Sequence, residues 1–550
     1  MKFPGLLLVC LLLTLAATAA RAQLAVAPTL LGGGNNEAPC CWLHLRIENS
    51  YNQPLPLELV INSWQGSQSR LKIPRQIIAP GATVEMDYAL PINGYFGVMW
   101  ENPDGKMQQA SPADYSQKIF LHVSATQFQA TQAQVEDFAK RLSLTGPGQK
   151  IVSQIEARQL PADWLCLTPF RAVMMPEAEY KTLPPNLREP LLTWVRAGGD
   201  LLLYQAEHVG IEAQMMGKIR RVADNPLLTP TNTPPEWGGN PLPWRDLQGN
   251  DQLFPYRVEI STGNTGGLVL ASLFFVLAGP LALWWSNRRK QPHLVLKIVP
   301  VLSAAFCIIM LIYFVGSEGF ERKGGSLTLH TLDETAQHGI TVAHQTLLSG
   351  LYPRGGFKFS RTAALVPHIN RENRDSASIE MELGPAQRLT RGWFEPRVPF
   401  NYTTVLPFET REHLVLEGNK LRNGFETAIT GGILYAPGNR RLAIPALKPG
   451  ANAAAAPLSA PANNDGLQAF LTPDEATYLR ALLPALRLNL LGDDGANREF
   501  YIVKLAGPWG QAKDGSGSSL AGVEINGPQT HILIGLRSAG QAEATHAPGA

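Results

Sequence analysis

Cysteine is scarce, with five in 550 residues. So thin a supply excludes a disulfide framework as the organising principle of the fold. Charge of one sign is not in excess either: 47 Lys and Arg stand against 45 Asp and Glu, a formal charge of +2. That near-balance gives no electrostatic footprint for nucleic acid, which usually needs a basic domain or stripe. Recognised catalytic patterns are missing too. The 11 histidines are scattered without H-E-x-x-H, and no G-x-S-x-G occurs. His338 and His344 read as two solvated histidines rather than a metal pair. Gly210 to Ile219 imitates a phosphate loop, but Gly217-Lys218 runs into isoleucine where a Ser or Thr hydroxyl is needed. No catalytic residue, cofactor or metal ligand is expected.

What is abundant is turn chemistry and buried potential. There are 50 Gly and 43 Pro, yet 45% of residues are apolar, enough to build real cores. The length implies several domains rather than one. A mean hydropathy of −0.05 resembles that of a soluble protein only because it averages unlike parts.

Residues 1–22 read as a secretory signal. Lys2 provides a positive start, Leu6 to Ala17 a short apolar run, and Ala20-Arg21-Ala22 a cleavage site. Cys10 lies inside that run without a lipobox. Two longer apolar runs follow mid-chain. Residues 266–285 carry no charge, and residues 295–316 carry only Lys297, near one end where its stem can snorkel. At about 1.5 Å per residue each spans a hydrocarbon core of roughly 30 Å. Pro280 and Pro300 are tolerated in such helices when neighbours re-satisfy the backbone.

The connector, residues 286–294, holds Arg288, Arg289 and Lys290 without an acid, whereas Glu318, Glu321, Arg322 and Lys323 beyond the second run are mixed. The positive-inside rule places the connector in the cytoplasm and both large flanks outside the bacterial inner membrane. The lipid bilayer is then one partner, and membrane or periplasmic proteins are expected as others. Cys40, Cys41 and Cys166 would face an oxidising compartment, where a bridge from Cys40 or Cys41 to Cys166 stays open.

The flanks have different periods. Within residues 23–117, Leu43, Leu45 and Ile47 alternate with His44, Arg46 and Glu48, and Leu57, Leu59 and Ile61 repeat the pattern. Short strands broken by turn signals predict a β-sandwich. Within residues 118–224, apolar strands near Ile119–Val123, Ile151, Ala172–Met175 and Leu201–Tyr204 alternate with helical spacing at Val135, Phe138 and Leu142 and again at Leu191 and Val195. That order predicts a parallel sheet covered on both faces, with Gly198-Gly199 ending the second helix. Residues 225–264 form a Pro-rich linker.

Beyond the hairpin, residues 317–447 read as a β-sandwich-rich region whose Trp393, Phe394, Phe400 and Tyr402 suit a core or a contact surface. Residues 448–465 read as an Ala/Pro linker, 466–537 as an α+β segment and 538–550 as a disordered tail. In the α+β segment, Thr472-Pro473-Asp474-Glu475 is a helix start with a capping box.

The stretch Leu191 to Tyr204 (LLTWVRAGGDLLLY), after the Ala172–Met175 strand, resembles the W-V-x-A-G-G-x-L signature of class I glutamine amidotransferase-like domains. The resemblance covers residues 118–224 and implies a flavodoxin-like α/β fold. In active members the next strand leads into a nucleophile elbow, G-x-C-x-G. Here it leads into Gln205-Ala206-Glu207-His208, and Cys166 lies on an earlier element. The domain therefore resembles a catalytically degenerate member. The overall layout is similar to uncharacterised bacterial inner-membrane proteins associated with MoxR-type ATPase systems, which implies envelope assembly or maturation.

Two roles follow as expectations. The first is a non-catalytic, membrane-anchored periplasmic scaffold. The second is a periplasmic small-molecule or glycan binding module acting through a membrane partner, with Glu177, Glu179 and Glu207 as the candidate ligand edge, where open α/β sheets bind. A hydrolase built on those acids lacks a nucleophile, metal site or cofactor motif beside them.

Overall fold

The computed structural model describes residues 24–32, 40–63, 69–91, 95–116, 118–124, 131–141, 151–225, 264–291, 295–318, 322–350, 356–368, 379–396, 398–417, 420–436, 440–458, 466–486, 499–509 and 528–537, with positions 227, 242, 244, 293 and 488. The signal sequence, most of the Pro-rich linker and the tail lie outside the described residues.

The first segment comprises β1 (Leu24–Gly32), β2 (Cys41–Asn49), β3 (Leu55–Ser63), β4 (Ser69–Ile78), β5 (Thr83–Leu90), β6 (Phe96–Glu101) and β7 (Met107–Ala110). The alternation predicted there is real. In β3, Leu55, Leu57, Leu59 and Ile61 are buried while the residues between them reach solvent. One face of each such strand packs and the other stays wet.

The second segment holds β8 (Phe120–Val123), α1 (Gln132–Arg141), β9 (Val152–Ile155), β10 (Ala172–Pro176), α2 (Glu177–Thr182), α3 (Pro185–Arg196), β11 (Asp200–Tyr204), β12 (Gly210–Gln214) and β13 (Gly217–Arg221). They form a six-stranded sheet in the order β12-β13-β11-β10-β8-β9, parallel except for β12 on β13. All five residues of β10 and of β11 are buried, as strands covered on both faces must be. The order turns back between β8 and β10, the switch point of a doubly wound sheet.

Glycine ends α3 as its sequence suggests. Gly198, at φ +114°, donates to the Val195 carbonyl, and Gly199 donates to that of Trp194. This pair of bonds closes the helix end. A Cβ on Gly199 would lie 2.3 Å from the buried Trp194 ring, so the second glycine is needed for close approach. The apparent phosphate loop is instead the β12–β13 hairpin, turned by Met215 at φ +49°.

Two apolar helical stretches follow, both long and apolar enough to cross a membrane. The first runs through α4 (Asn264–Val276), a π-helical turn at Leu277–Leu281 around Pro280, and α5 (Ala282–Arg288). Proline cannot donate the helical hydrogen bond, and a π-turn is one way to absorb the gap. The second is α6 (Val295–Glu318). Hardly any of either stretch is buried against the rest of the protein.

The last segment contains β14 (Arg322–Asp333), β15 (His338–Ser349), β16 (Phe357–Ser360), β17 (Ala364–His368), β18 (Ile379–Leu383), β19 (Ala386–Arg391) and β20 (Phe400–Glu409). It continues with β21 (Leu414–Glu417), β22 (Lys420–Asn423), β23 (Ile429–Ala436), β24 (Arg440–Ile444), β25 (Asn452–Ala454), β26 (Ala456–Pro457), α7 (Pro473–Ala485), β27 (Glu499–Leu505) and β28 (Gln529–Arg537). Strands β25 and β26 fall inside the stretch whose composition suggests a linker.

Three of these strands, β16, β18 and β19, join strands of the first segment. The seven-stranded sheet has the order β16-β19-β18-β4-β3-β6-β7, so strands from before and after the apolar helices share it. The join is the parallel pairing of β18 with β4, from Ile379 opposite Ser69 to Glu382 opposite Lys72. The sequence pattern separates residues 23–117 from 317–447; the backbone pairing unites them. Trp393, Phe394, Phe400 and Tyr402 are all buried in the core between this sheet and the three-stranded sheet β1-β2-β5.

The nine-stranded sheet, β17-β20-β15-β14-β28-β27-β23-β24-β26, carries α7 on one face. Thr472 and Glu475 close the expected capping box, and Glu475 also accepts from Lys504 at 2.8 Å and Thr530 at 2.7 Å. Its apolar core is continuous with one face of the six-stranded sheet.

Candidate functional site

The carboxyl edge of the six-stranded sheet is where an α/β domain of this order would hold a ligand. Glu177 opens α2 directly after β10 and is buried. Its carboxylate faces Arg221 at 3.4 Å and Lys181 at 3.6 Å, and accepts the Glu207 backbone N–H at 3.3 Å. Glu177 therefore braces the loop after β11. The structure brings Glu177 to the Glu207 main chain, while the Glu207 side chain is exposed. Glu179 lies near enough to the Tyr204 phenol to help raise its pKa. The three acids thus have separate surroundings and do not converge as an acid–base pair.

A polar group that sequence reasoning missed lies at the same edge. His122 of β8 and Tyr204 of β11 are both buried, with Nε2 and the phenol oxygen 3.0 Å apart and the rings stacked at 5.8 Å. Burial pushes the His122 imidazole down to about 4, so it is neutral at ordinary pH. Tyr204 is pushed up by burial first and by Glu179 second, with the Ser124 hydroxyl opposing. These groups share the sheet face covered by α1. Polar side chains at inward positions of apolar strands were the available signal, although 82 residues separate the two rings.

Gln205 directly follows β11. Its backbone is left-handed, at φ +56°, a conformation uncommon outside glycine, and its amide is exposed. Cys166, on the one-turn helix Trp164–Leu167, is fully buried, and burial pushes its thiol well up, away from the reactive thiolate. Cys40, Cys41 and Cys166 are all buried, and none of them is in a disulfide. His344 is buried against Thr403 at 2.9 Å, while His338 is half-buried beside Glu409. Among the described residues no group of His, Cys, Asp or Glu is placed to hold a metal ion.

A second concentration of polar groups lines a cleft of about 680 Å³ between α3, the start of β15, the end of β20 and the turn at Arg361. Glu189, Thr193 and Arg196 reach it from one face of α3.

No family model and no curated protein matches this chain. Solved structures share only local likeness. A β-glucosidase involved in saponin metabolism from intestinal bacteria is 16% identical over 17% of this chain and 16% of its own, with a TM-score of 0.13. The yeast δ-COP-I μ-homology domain with a Dsl1 WxWxV peptide is 8% identical over 40% of this chain and 95% of its own, at 0.16. A calcium-binding mutant of Bacteroides uniformis β-glucuronidase 2 is 11% identical over 33% of this chain and 34% of its own, at 0.15. The matches take in a minor part of either enzyme. Scores this low carry nothing about fold or activity.

Proposed function

We propose that this chain is a non-catalytic, membrane-anchored scaffold of the bacterial envelope, with both large flanks in the periplasm and a role in envelope assembly or maturation. One observation supports the placing of both flanks in one compartment: β18 pairs with β4 across the apolar helices. Strands that share a sheet share a compartment, so an even number of crossings separates them. Two helices with Arg288, Arg289 and Lys290 at their connector satisfy that requirement, with the basic end inside. Arg288 and Arg289 sit over the Trp284 and Trp285 rings, at 5.3 and 4.7 Å, as suits an interfacial belt. The amidotransferase-like reading of residues 118–224 gains support from the strand order and the left-handed turn at Gln205. The amide in that turn favours a degenerate domain over an active one.

The nearly bare helices leave their surfaces to lipid or to other spans. The test joins topology to partnership. A carboxyl-terminal alkaline phosphatase fusion should be active, and crosslinked protein purified in mild detergent should bring down defined partners. Those partners should be lost when residues 266–316 are exchanged for an unrelated two-span hairpin. An inactive fusion, or partners indifferent to the exchange, sinks the proposal. A second reading, a periplasmic small-molecule binding module, is favoured by the charged cleft.

A further inference from the structure

The cleft is composite. Asp87 of β5, Asp163, Glu189 and Arg196 come from before the apolar helices; His338 and Arg361 come from after them. Its 680 Å³ is of the size that small-molecule sites occupy.

Its ion pairs are mostly long. The tightest partly buried pairs of the fold close to hydrogen-bond length, Lys504–Glu475 at 2.8 Å, Arg537–Glu499 at 2.9 Å and Arg537–Glu334 at 3.0 Å, whereas Glu177–Arg221 is 3.4 Å. In the cleft Asp87 meets His44 at 3.0 Å, but the other pairs are longer. Arg196 to Glu189 is 3.5 Å, His338 to Glu409 is 3.7 Å, and His338 to Glu189 is 4.0 Å. All exceed the range of good hydrogen bonds. The buried Arg196 Nε–H meets no acceptor among the described residues. Among these groups Arg196 is the buried one, and a buried polar group left poorly paired carries a cost that a ligand can relieve.

Most charges of the cleft have an opposite charge within 4 Å. Asp87 accepts from Trp42 at 2.7 Å and meets His44 at 3.0 Å. Glu189 lies 3.5 Å from Arg196, and Glu409 lies 3.7 Å from His338. Two opposite charges remain without an ion-pair partner among the described residues: the Asp163 carboxylate and the exposed Arg361 guanidinium. Asp163 uses one oxygen to cap the Trp164–Leu167 turn, accepting the Leu165 N–H at 3.0 Å. Burial raises its pKa, with that bond and the Arg361 charge opposing, so a cation beside it would favour the ionised form.

We propose that the cleft binds a short peptide with both termini free, its ammonium at Asp163 and its terminal carboxylate at Arg361. The guanidinium fork suits a carboxylate bidentately. A single amino acid would leave most of the 680 Å³ to water. The proposal rests on the second reading above, a small-molecule binding module, and goes further by naming the ligand class.

Calorimetry on the full-length chain in detergent tests it, with trialanine and its lysine- and glutamate-centred counterparts as probes. Binding is expected, and should weaken roughly tenfold or more when either terminus is blocked by acetyl or amide, the usual worth of a hydrogen bond to a charged group. Arg361→Ala should bind the free acid and the amide alike. Asp163→Asn keeps an acceptor for Leu165 and should bind free and acetylated peptide alike. An amide that binds the native chain as tightly as the acid overturns the proposal, as does alanine binding as tightly as trialanine. Spermidine or maltotriose binding where peptides do not would remove the peptide but leave the binding-module reading standing. Silence from every probe removes both.

Discussion

The six-stranded sheet and the seven-stranded sheet were assembled by opposite routes. The first uses strands from one continuous stretch, Phe120 to Arg221, and each parallel pair is bridged by a nearby connection. The second takes β3, β4, β6 and β7 from one side of the apolar helices and β16, β18 and β19 from the other. Loop closure grows costlier with the separation of the paired segments. The β4–β18 pairing closes across both apolar helices, whereas the parallel pairs of the six-stranded sheet close within one stretch of chain.

The largest expected effect breaks the contrast at its join. Met381 of β18 is fully buried and lies opposite Leu71 of β4. Met381→Asp would bury an unpaired carboxylate, at a cost of several kcal/mol. Hydrogen exchange should show protection lost not only in β18 and β19 but also in β3 and β4, far away in sequence. The six-stranded sheet should keep its own protection longer. Exchange confined to residues after the hairpin would show that the shared sheet is not one cooperative unit.

How much of this was legible beforehand depends on the range of the cause. Thr472 to Glu475, Gly198-Gly199 and the two apolar runs announce themselves because their physics is local: a cap, a left-handed turn, an unbroken greasy length. The alternation of Leu55, Leu57, Leu59 and Ile61 likewise predicts a half-buried strand. Nothing in it says which strand lies alongside, so the β4–β18 pairing was invisible and one sheet read as parts of two regions. The candidate edge fared the same way. Glu177 could be placed at the end of β10, but not its engagement with Arg221 and Lys181, nor the stacking of His122 on Tyr204.

Buried histidines set the composite seven-stranded sheet, whose strands contain none, apart from the six- and nine-stranded sheets, which each bury at least one. Burial holds His122 in the six-stranded sheet at about 4, and His531 in the nine-stranded sheet at about 4. His330, stacked on His531 at 5.9 Å, lies well below its usual value by burial first and by His531 second. An unfolded histidine titrates near about 6.5. Between that value and about 4 the unfolded chain binds protons that the folded chain refuses. Stability from these groups is full above the unfolded pKa and falls as pH drops through the window. Denaturant titrations from pH 7 to pH 4 should show this slope. His122→Phe should remove about one proton's share, and His531→Phe its own share together with its effect on His330, the two substitutions adding because the sites lie in different sheets. A slope untouched by both substitutions would mean that other groups govern acid unfolding.

The smallest effect concerns the seam between α7 and the nine-stranded sheet. Burial pushes the Glu475 carboxyl up, but hydrogen bonds from Lys504, the Thr472 backbone and Thr530 outweigh it and leave the pKa below the ordinary value. Its contribution is therefore present above the unfolded pKa and is lost only as pH falls through the lowered folded value, beneath most of the histidine window. Glu475→Gln keeps the shape and the capping bond but removes the charge that Lys504 meets at 2.8 Å. A loss of about 1–3 kcal/mol is expected, the range for hydrogen bonds to charged groups. It should appear as earlier denaturant unfolding of the nine-stranded sheet, with exchange in β8 to β11 unchanged. Equal loosening of both sheets would instead mean that the apolar core running between them makes them one cooperative unit, although each is built from strands on one side of the apolar helices.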